Sequence, residues 1–429
     1  MKKNKVVFLA VGSRGDINPS CALALELIRR NYDVCIATHS NFKSFVTEKG
    51  IDYAPIAGNY QNILNSEVGL NLLEGKGKLR LISDELFYEQ LTDAYKACLD
   101  SSAIVVFPLS LFGYHIAEKL QVPCICSSYV PLTPTKDFPF LKFGNNRSFL
   151  PYLNYFSYSI VNFLSWQADK KVINKFRQQI LNLSPIPFLG ASYRKDAPPN
   201  FSVDEIPLLY QFSSHIIPYP SDWKRPNIHI TGNWFLKEEY QPPLELDNFV
   251  NYGEQPIYIG FGSMTMKNPE KIVAILIEAI DKTKQKAVIS SGWSDLKNFV
   301  DYQDSNIFIS SDYIPFDWLF PKMKLLIHHG GSGTIALGLK SGTPQILIPF
   351  FADQPAWAEK LHNLEVSPKP IPFKKLSSHN LIEAIETTIN SHSIHQKAKK
   401  ISELLKQENG VKVAANLTEQ IIKNFTKEK

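Results

Sequence analysis

Short apolar runs separated by helix-length stretches recur along the whole chain. Lys5 to Val11, Asp33 to Thr38, Gly50 to Ile56, Ala103 to Phe107 and Val122 to Cys126 have strand length in the first half. Pro256 to Phe261, Ala287 to Ser290, Ile307 to Ile309, Leu325 to Ile327 and Gln345 to Ile348 repeat the pattern in the second. The runs are close to continuously apolar rather than alternating, as expected of strands covered on both faces. Between them, Cys21 to Arg29, Leu111 to Leu120, Pro269 to Asp281 and Ser332 to Lys340 carry apolar residues at helical spacing. Strand–helix alternation of this kind predicts the α/β class with parallel sheets and crossover helices. Tyr60 to Leu99 is mostly helical in periodicity but has no firm register. A stretch rich in proline and polar residues, Pro218 to Pro243, separates the two series, so two domains are expected, residues 1–241 and 242–429, with the boundary near Pro242.

The richest chemistry lies between Leu325 and Glu359. Gly342 sits where a helix ends and Pro344 follows it, so the helix after Ser332 has a stop signal and a second strand begins at Gln345. Ahead of that helix comes His328-His329-Gly330-Gly331-Ser332-Gly333-Thr334. Free amides and the positive end of a helix dipole there suit a phosphate, and an imidazole adds a donor. The competing reading is a plain glycine turn with two buried histidines. After the next strand, Pro349-Phe350-Phe351-Ala352-Asp353-Gln354-Pro355 places a carboxylate and an amide beyond a strand's C-terminal edge, where ligands of open α/β sheets bind. Phosphate donors on one loop and two hydroxyl-binding side chains on the next fit a nucleotide-sugar.

HHGGSGT followed by PFFADQP resembles the donor signature of the UDP-dependent glycosyltransferases of the GT-B fold, particularly the branch with sterol and antibiotic glycosyltransferases. Gly12 to Pro19 is similar to the G-S-R-G-D-x-x-P loop of that branch, Gly260 to Ser263 to its second phosphate loop, and Asp312 to Phe320 to its nucleobase segment. The resemblance implies two Rossmann-like domains facing across a cleft, with the terminal helix around Lys412 to Lys423 packing back on the first. It implies donor contacts from Ser263, Tyr313, His329, Gly331, Ser332, Gly333, Thr334, Asp353 and Gln354, with His328 structural. The donor is expected to be a UDP- or dTDP-hexose, UDP-glucose foremost, bound as a co-substrate with no cofactor. Where plant-type members carry a ribose-binding glutamate this chain has Leu337, and around the base it offers Tyr313 and Phe316.

No Asp-x-Asp motif occurs, which points to a metal-independent, inverting displacement. The resemblance makes Asp16 the candidate general base, with Arg14 beside it toward the acceptor; the alternative is that Asp16 only caps the following helix. His39 is a weaker candidate base. Phe138 to Trp166 is loaded with aromatics, and Tyr152, Tyr155 and Phe156 are expected either to contact a lipophilic acceptor or a membrane, or to form the core side of a helix. The resemblance makes a sterol, terpenoid, hydroxy-lipid or polyketide the expected acceptor. A nucleotide-sugar epimerase of the same fold and a non-catalytic lipid- or carbohydrate-binding relative stay open as alternatives.

Bulk properties narrow the partners. The chain has 429 residues, 44% hydrophobic and 20% charged, with a formal net charge of +5 and no basic stripe suited to nucleic acid. Cys21, Cys35, Cys98, Cys124 and Cys126 lack zinc spacing and read as buried thiols. The apolar run after the N-terminal lysines reads as a first strand, not a signal peptide, and no run approaches ~18 apolar residues. A reducing cytoplasm is the expected setting, with peripheral membrane contact left open.

Overall fold

The strand β1 (Lys5–Leu9) is fully buried from Val6 onward and organises the first sheet. It pairs in parallel with β2 (Asp33–Thr38) on one side and β4 (Ala103–Val106) on the other. The computed structural model of the chain describes residues 4–67, 69, 80–143, 150–191, 198, 201–202, 204–266, 268–292 and 306–427. Among these, β3 (Asp52–Pro55), β5 (Cys124–Ser128), β6 (Leu208–Tyr210) and β7 (Ile228–Ile230) complete a seven-stranded sheet in the order β3-β2-β1-β4-β5-β6-β7. The second sheet holds β8 (Ile257–Gly260), β9 (Ala287–Ser290), β10 (Ile307–Ser310), β11 (Leu325–His328) and β12 (Gln345–Leu347) in the order β10-β9-β8-β11-β12. All pairings are parallel.

Three elements differ from the sequence-based expectation. Strands β6 and β7 lie in and just before the stretch read as domain end and linker. Three-residue strands flanked by prolines carry no periodicity, and only pairing to β5 reveals them. The first helix runs Arg14–Arg29 and so begins inside the motif read as a loop ahead of Cys21. Ser13 is its N-cap, with a reciprocal capping box between Ser13 and Asp16.

Each sheet has its own core. Val6, Phe8, Leu23, Ile36, Val105 and Ile125 belong to one, and Ile259, Leu276, Ile289, Ile327 and Ile346 to another. The last helix (Gly410–Lys427) places Ala414, Ala415 and Ile422 in the core of the first sheet. Arg30 reinforces this contact by donating to Glu419 at 2.8 Å. A further cluster is shared between the halves. Phe143 meets Trp357 edge-on at 4.8 Å, Phe212 meets it at 6.5 Å, and Ile335, Leu347 and Leu361 pack with Tyr158 and Tyr210. All five cysteines are buried and unpaired, and burial pushes their thiols up. No helix among the described residues is long and apolar enough to cross a membrane.

Trp357 is 3% exposed and anchors the shared cluster. Truncating it with Trp357→Ala leaves a cavity against rings from both halves and is expected to cost about 3–5 kcal/mol. Urea unfolding should show the corresponding drop in midpoint; an unchanged midpoint refutes the anchoring role.

Candidate active site

Parallel pairing brings every strand's C-terminal end to one edge of its sheet. The strand order reverses direction between β1 and β4 in the first sheet and between β8 and β11 in the second, which opens a crevice at each position. In the second sheet Gly260 pairs with His328, so the loop after β8 and the loop after β11 leave side by side.

His328 is fully buried. Its Nδ1 accepts from the Gly330 amide at 3.1 Å, which makes Nε2 the protonated nitrogen, donating to Gln345 Oε1 at 2.8 Å. Burial pushes its pKa down to about 4. Its role is to hold the turn. His329 is different: its Nδ1 is buried with no partner, and burial, with a smaller contribution from His328, pushes its pKa down to about 3. The imidazole is therefore neutral near pH 7 and carries one N–H to donate. Space for it comes from glycine on both sides. A Cβ at Gly331 would approach Nε2 to 2.6 Å, and one at Gly262 would approach Cε1 to 3.0 Å. Gly331 is the N-cap of the helix Ser332–Ser341, whose first-turn amides have no partner within the helix. Ser263 follows Gly262 and is half-buried.

Across from these loops stands Asp16, 4% exposed. Its Oδ2 accepts from the Ser13 amide at 2.9 Å, the capping contact, while its Oδ1 is buried without a partner. The capping reading of Asp16 thus accounts for one oxygen of the carboxylate and leaves the other without a partner. Gly12, at φ +136°, adopts a backbone conformation that L side chains avoid, and a Cβ there would collide with the carboxylate. Burial pushes the Asp16 pKa up to about 7; the Ser13 amide opposes this and Asp353 adds to it.

Asp353 comes from the loop after β12, where Ala352 is held at φ +55°. A non-glycine residue in that region is strained, and here the strain immediately precedes the carboxylate. Burial pushes Asp353 up to about 6. Gln354 next to it is 5% exposed, and its Oε1 accepts from the amides of Phe350 at 2.8 Å and Phe351 at 3.4 Å. Its Nε2 faces Met264 Sδ at 3.4 Å, which ties the loop after β12 to the loop after β8. Only that amide nitrogen is left to offer a ligand.

The family described as UDP-glucoronosyl and UDP-glucosyl transferase matches residues 195–412, about half of the chain. The chain belongs to that family. Residues 6–139 match the glycosyltransferase family 28 N-terminal domain. A sterol 3-beta-glucosyltransferase of Arabidopsis thaliana is 34% identical over 420 residues, covering 95% of this chain and 64% of its own length; a second from the same plant is 32% identical, at 96% and 67%. One from Komagataella phaffii is 31% identical over 96% of this chain and 34% of its own length. The chain therefore spans about two thirds of the plant relatives and about one third of the yeast one. Among solved structures, the kitacinnamycin glycosyltransferase and the calicheamicin glycosyltransferase CalG4 both superpose with TM-score 0.67, at 17% and 15% identity, over 98% of this chain and 100% and 99% of theirs. At that identity the likeness is one of fold, which is GT-B.

As a member of this family, the chain gathers Asp16, His329, Asp353 and Gln354 near the facing edges of its sheets. Two aromatic residues that sequence reasoning missed join them. Tyr60 begins the helix Tyr60–Asn65 and Tyr129 directly follows β5; the phenols of both are pushed up by burial, with Asp16 and Asp353 adding to the shift. Position just past a strand's C-terminal end was the available signal for Tyr129; Tyr60 had none.

The guanidinium of Arg14, expected toward the acceptor, lies 3.4 Å from the ring centroid of Tyr313 and 4.3 Å from that of Phe45. The Tyr313 hydroxyl in turn donates to Glu238 at 2.8 Å. Tyr152, Tyr155 and Phe156 are 76%, 43% and 57% exposed on the helix Pro151–Phe176, so they are neither helix core nor the wall of an enclosed pocket. Helical periodicity identifies a shared face but not what that face meets. Phe149 lies outside the described residues. His39 is fully buried, with Nδ1 3.3 Å from the Ile56 carbonyl and Nε2 buried without a partner. Leu337 packs against the core that holds Tyr258 and Phe320.

Burial raises Asp16 and Asp353 above their unfolded values, so their neutral forms favour the folded state. The stabilisation this provides is complete below about pH 4 and is lost as pH rises through about 6 to 7. Asp16→Asn keeps an acceptor for the Ser13 amide and cannot ionise. Its melting temperature should therefore fall less than that of the wild type between pH 4.5 and pH 8. Equal falls would show that Asp16 titrates normally.

Proposed function

We propose that the protein moves a hexose from a nucleoside-diphosphate sugar, UDP-glucose foremost, to the hydroxyl of a lipophilic alcohol of the sterol or related terpenoid, hydroxy-lipid or polyketide type. The single observation that carries this reading is the convergence of a half-committed, up-shifted Asp16 from the first half with Asp353 and the partnerless His329 imidazole from the second. Family membership and the sterol glucosyltransferase relatives support the same reading. The work divides near Pro242, with residues 1–241 receiving the acceptor and residues 242–429 the donor.

In this reaction Asp16 Oδ1 takes the acceptor's hydroxyl proton as the oxygen attacks the anomeric carbon. The bond from that carbon to the diphosphate oxygen breaks, and the diphosphate leaves with the electron pair from the opposite face, so configuration inverts. Amides at Gly331 to Thr334, the Ser263 hydroxyl and the His329 N–H receive the developing charge. No resident metal ion is assigned, in keeping with a chain that has no Asp-x-Asp motif. Asp353, with the Gln354 amide nitrogen, holds sugar hydroxyls. Tyr313 offers the base a stacking face on which Arg14 now rests, so Arg14 either shifts when donor enters or closes over it.

A base with a pKa near 7 matches proton transfer at neutral pH, and kcat/KM should rise with pH and level off above about 7. Asp16→Asn is expected to lower kcat by ~10²–10⁴-fold at saturating donor with UDP affinity unchanged; wild-type turnover would leave Asp16 only its capping role. His329→Ala removes a charge-assisted hydrogen bond worth about 1.5–3 kcal/mol, hence roughly ten- to a hundred-fold in rate. Asp353→Ala should impair use of the sugar while leaving UDP binding intact by calorimetry. Loss of UDP binding in that variant would refute the sugar assignment.

A further inference from the structure

The helix Pro151–Phe176 turns its apolar stripe away from the protein. Tyr152, Phe156, Ile160 and Leu164 recur every fourth residue, which aligns them along one face, and Leu153 lies beside them. They are 76%, 57%, 44%, 43% and 58% exposed, whereas Asn154 and Tyr158 face inward. Leu150 to Ala168 contains no charged residue at all. The patch continues onto a neighbouring loop where Phe188 and Leu189 are 63% and 51% exposed. That loop is fastened to the helix, since Trp166 Nε1 donates to the carbonyls of Pro187 and Phe188 at 3.0 Å and the Phe163 and Phe188 rings meet at 5.9 Å.

Lysines rim the patch. Lys136 Nζ stands 4.8 Å over the Tyr152 ring and Lys170 Nζ 4.2 Å over the Phe188 ring, while Lys171 continues the exposed stripe. The nearby acids are otherwise engaged: Asp169 pairs with Arg80, and Asp137 accepts from the Ser221 amide.

We infer that this face docks on the surface of a lipid bilayer, with the apolar stripe at the boundary between headgroups and acyl chains and the lysines against anionic headgroups. Tyrosine and phenylalanine beside lysine is the composition suited to that boundary. A second copy of the same face would set these lysines against one another, which disfavours self-association. The inference rests on the lipophilic acceptor proposed above. Tyr158 on the inner side of the helix packs on Phe140 at 5.5 Å, within the segment that leads from Tyr129 beside the two carboxylates.

The test is co-sedimentation of the full chain with vesicles of phosphatidylcholine, with and without phosphatidylglycerol. The wild type should bind both, more tightly with the anionic lipid. Tyr152→Ser/Phe156→Ser/Ile160→Ser/Leu164→Ser should weaken binding on the order of a hundredfold. Lys170→Glu/Lys171→Glu should weaken it about tenfold on anionic vesicles alone, an effect that salt reproduces. Because the serine substitutions fall on exposed residues, melting temperature and transfer to a short-chain, water-soluble alcohol should match the wild type in that variant. Wild type that ignores both vesicles, or a serine variant that binds as well as wild type, overturns the inference. So does a dimer in sedimentation equilibrium that the serine variant abolishes in a protein that binds no vesicle. Intact, mutation-sensitive vesicle binding without hexose transfer to any dispersed lipophilic alcohol would instead refute the proposed reaction and leave the docking surface standing.

Discussion

Removal from water of a carboxylate that keeps an unused oxygen is the constraint on which the site depends. Asp16 is held by one oxygen to the Ser13 amide, inside a helix start that Gly12 alone can accommodate. The capping contact stabilises the charged form, and burial opposes it more strongly, with Asp353 adding a second negative charge nearby. The balance keeps the group near neutrality at working pH. An ordinary aspartate would be ionised there and a poor base. The helix cap and the proposed base are thus two uses of one side chain, and the cap fixes the direction of the other oxygen.

On the facing side the second half solves the converse problem. The groups proposed to receive the diphosphate are backbone amides and a neutral imidazole, which carry no net charge of their own. His328 spends both nitrogens on the turn, and His329 spends none of its Nδ1 capacity. Glycines 262 and 331 are small because the imidazole fills the space their side chains would take. The shared aromatic cluster around Trp357 and the return of the last helix to the first core hold these two sets of groups in register. Arg14 on Tyr313, and the Tyr313 hydroxyl donating to Glu238 at 2.8 Å, add polar contacts across the same boundary.

Much of this was legible in the chain alone. Continuous apolar runs at strand length, spaced by helical patterns, determined the parallel α/β architecture, because burial on both faces leaves no other pattern. The glycine-rich start at Gly330 to Gly333 and the stop at Gly342 and Pro344 marked the crossover helix, since backbone geometry at those positions is a local property. Motif order was enough to indicate the family and to nominate Asp16, His329 and Asp353.

What only the tertiary structure decided depends on partners distant in sequence. Strands β6 and β7 are too short to announce themselves and exist because β5 offers them an edge. Arg14 sits on Tyr313, and Tyr60 and Tyr129 stand near both carboxylates, through contacts between segments that no local pattern relates. Gln354 reads as a sugar ligand in its motif, and only the structure shows that its carbonyl braces Phe350 and Phe351, which leaves the amide nitrogen alone to meet a ligand. The aromatic helix is the clearest case. Its four-residue spacing defined a face correctly, yet spacing is a property of the helix and burial is a property of its neighbours, and here no neighbour covers that face.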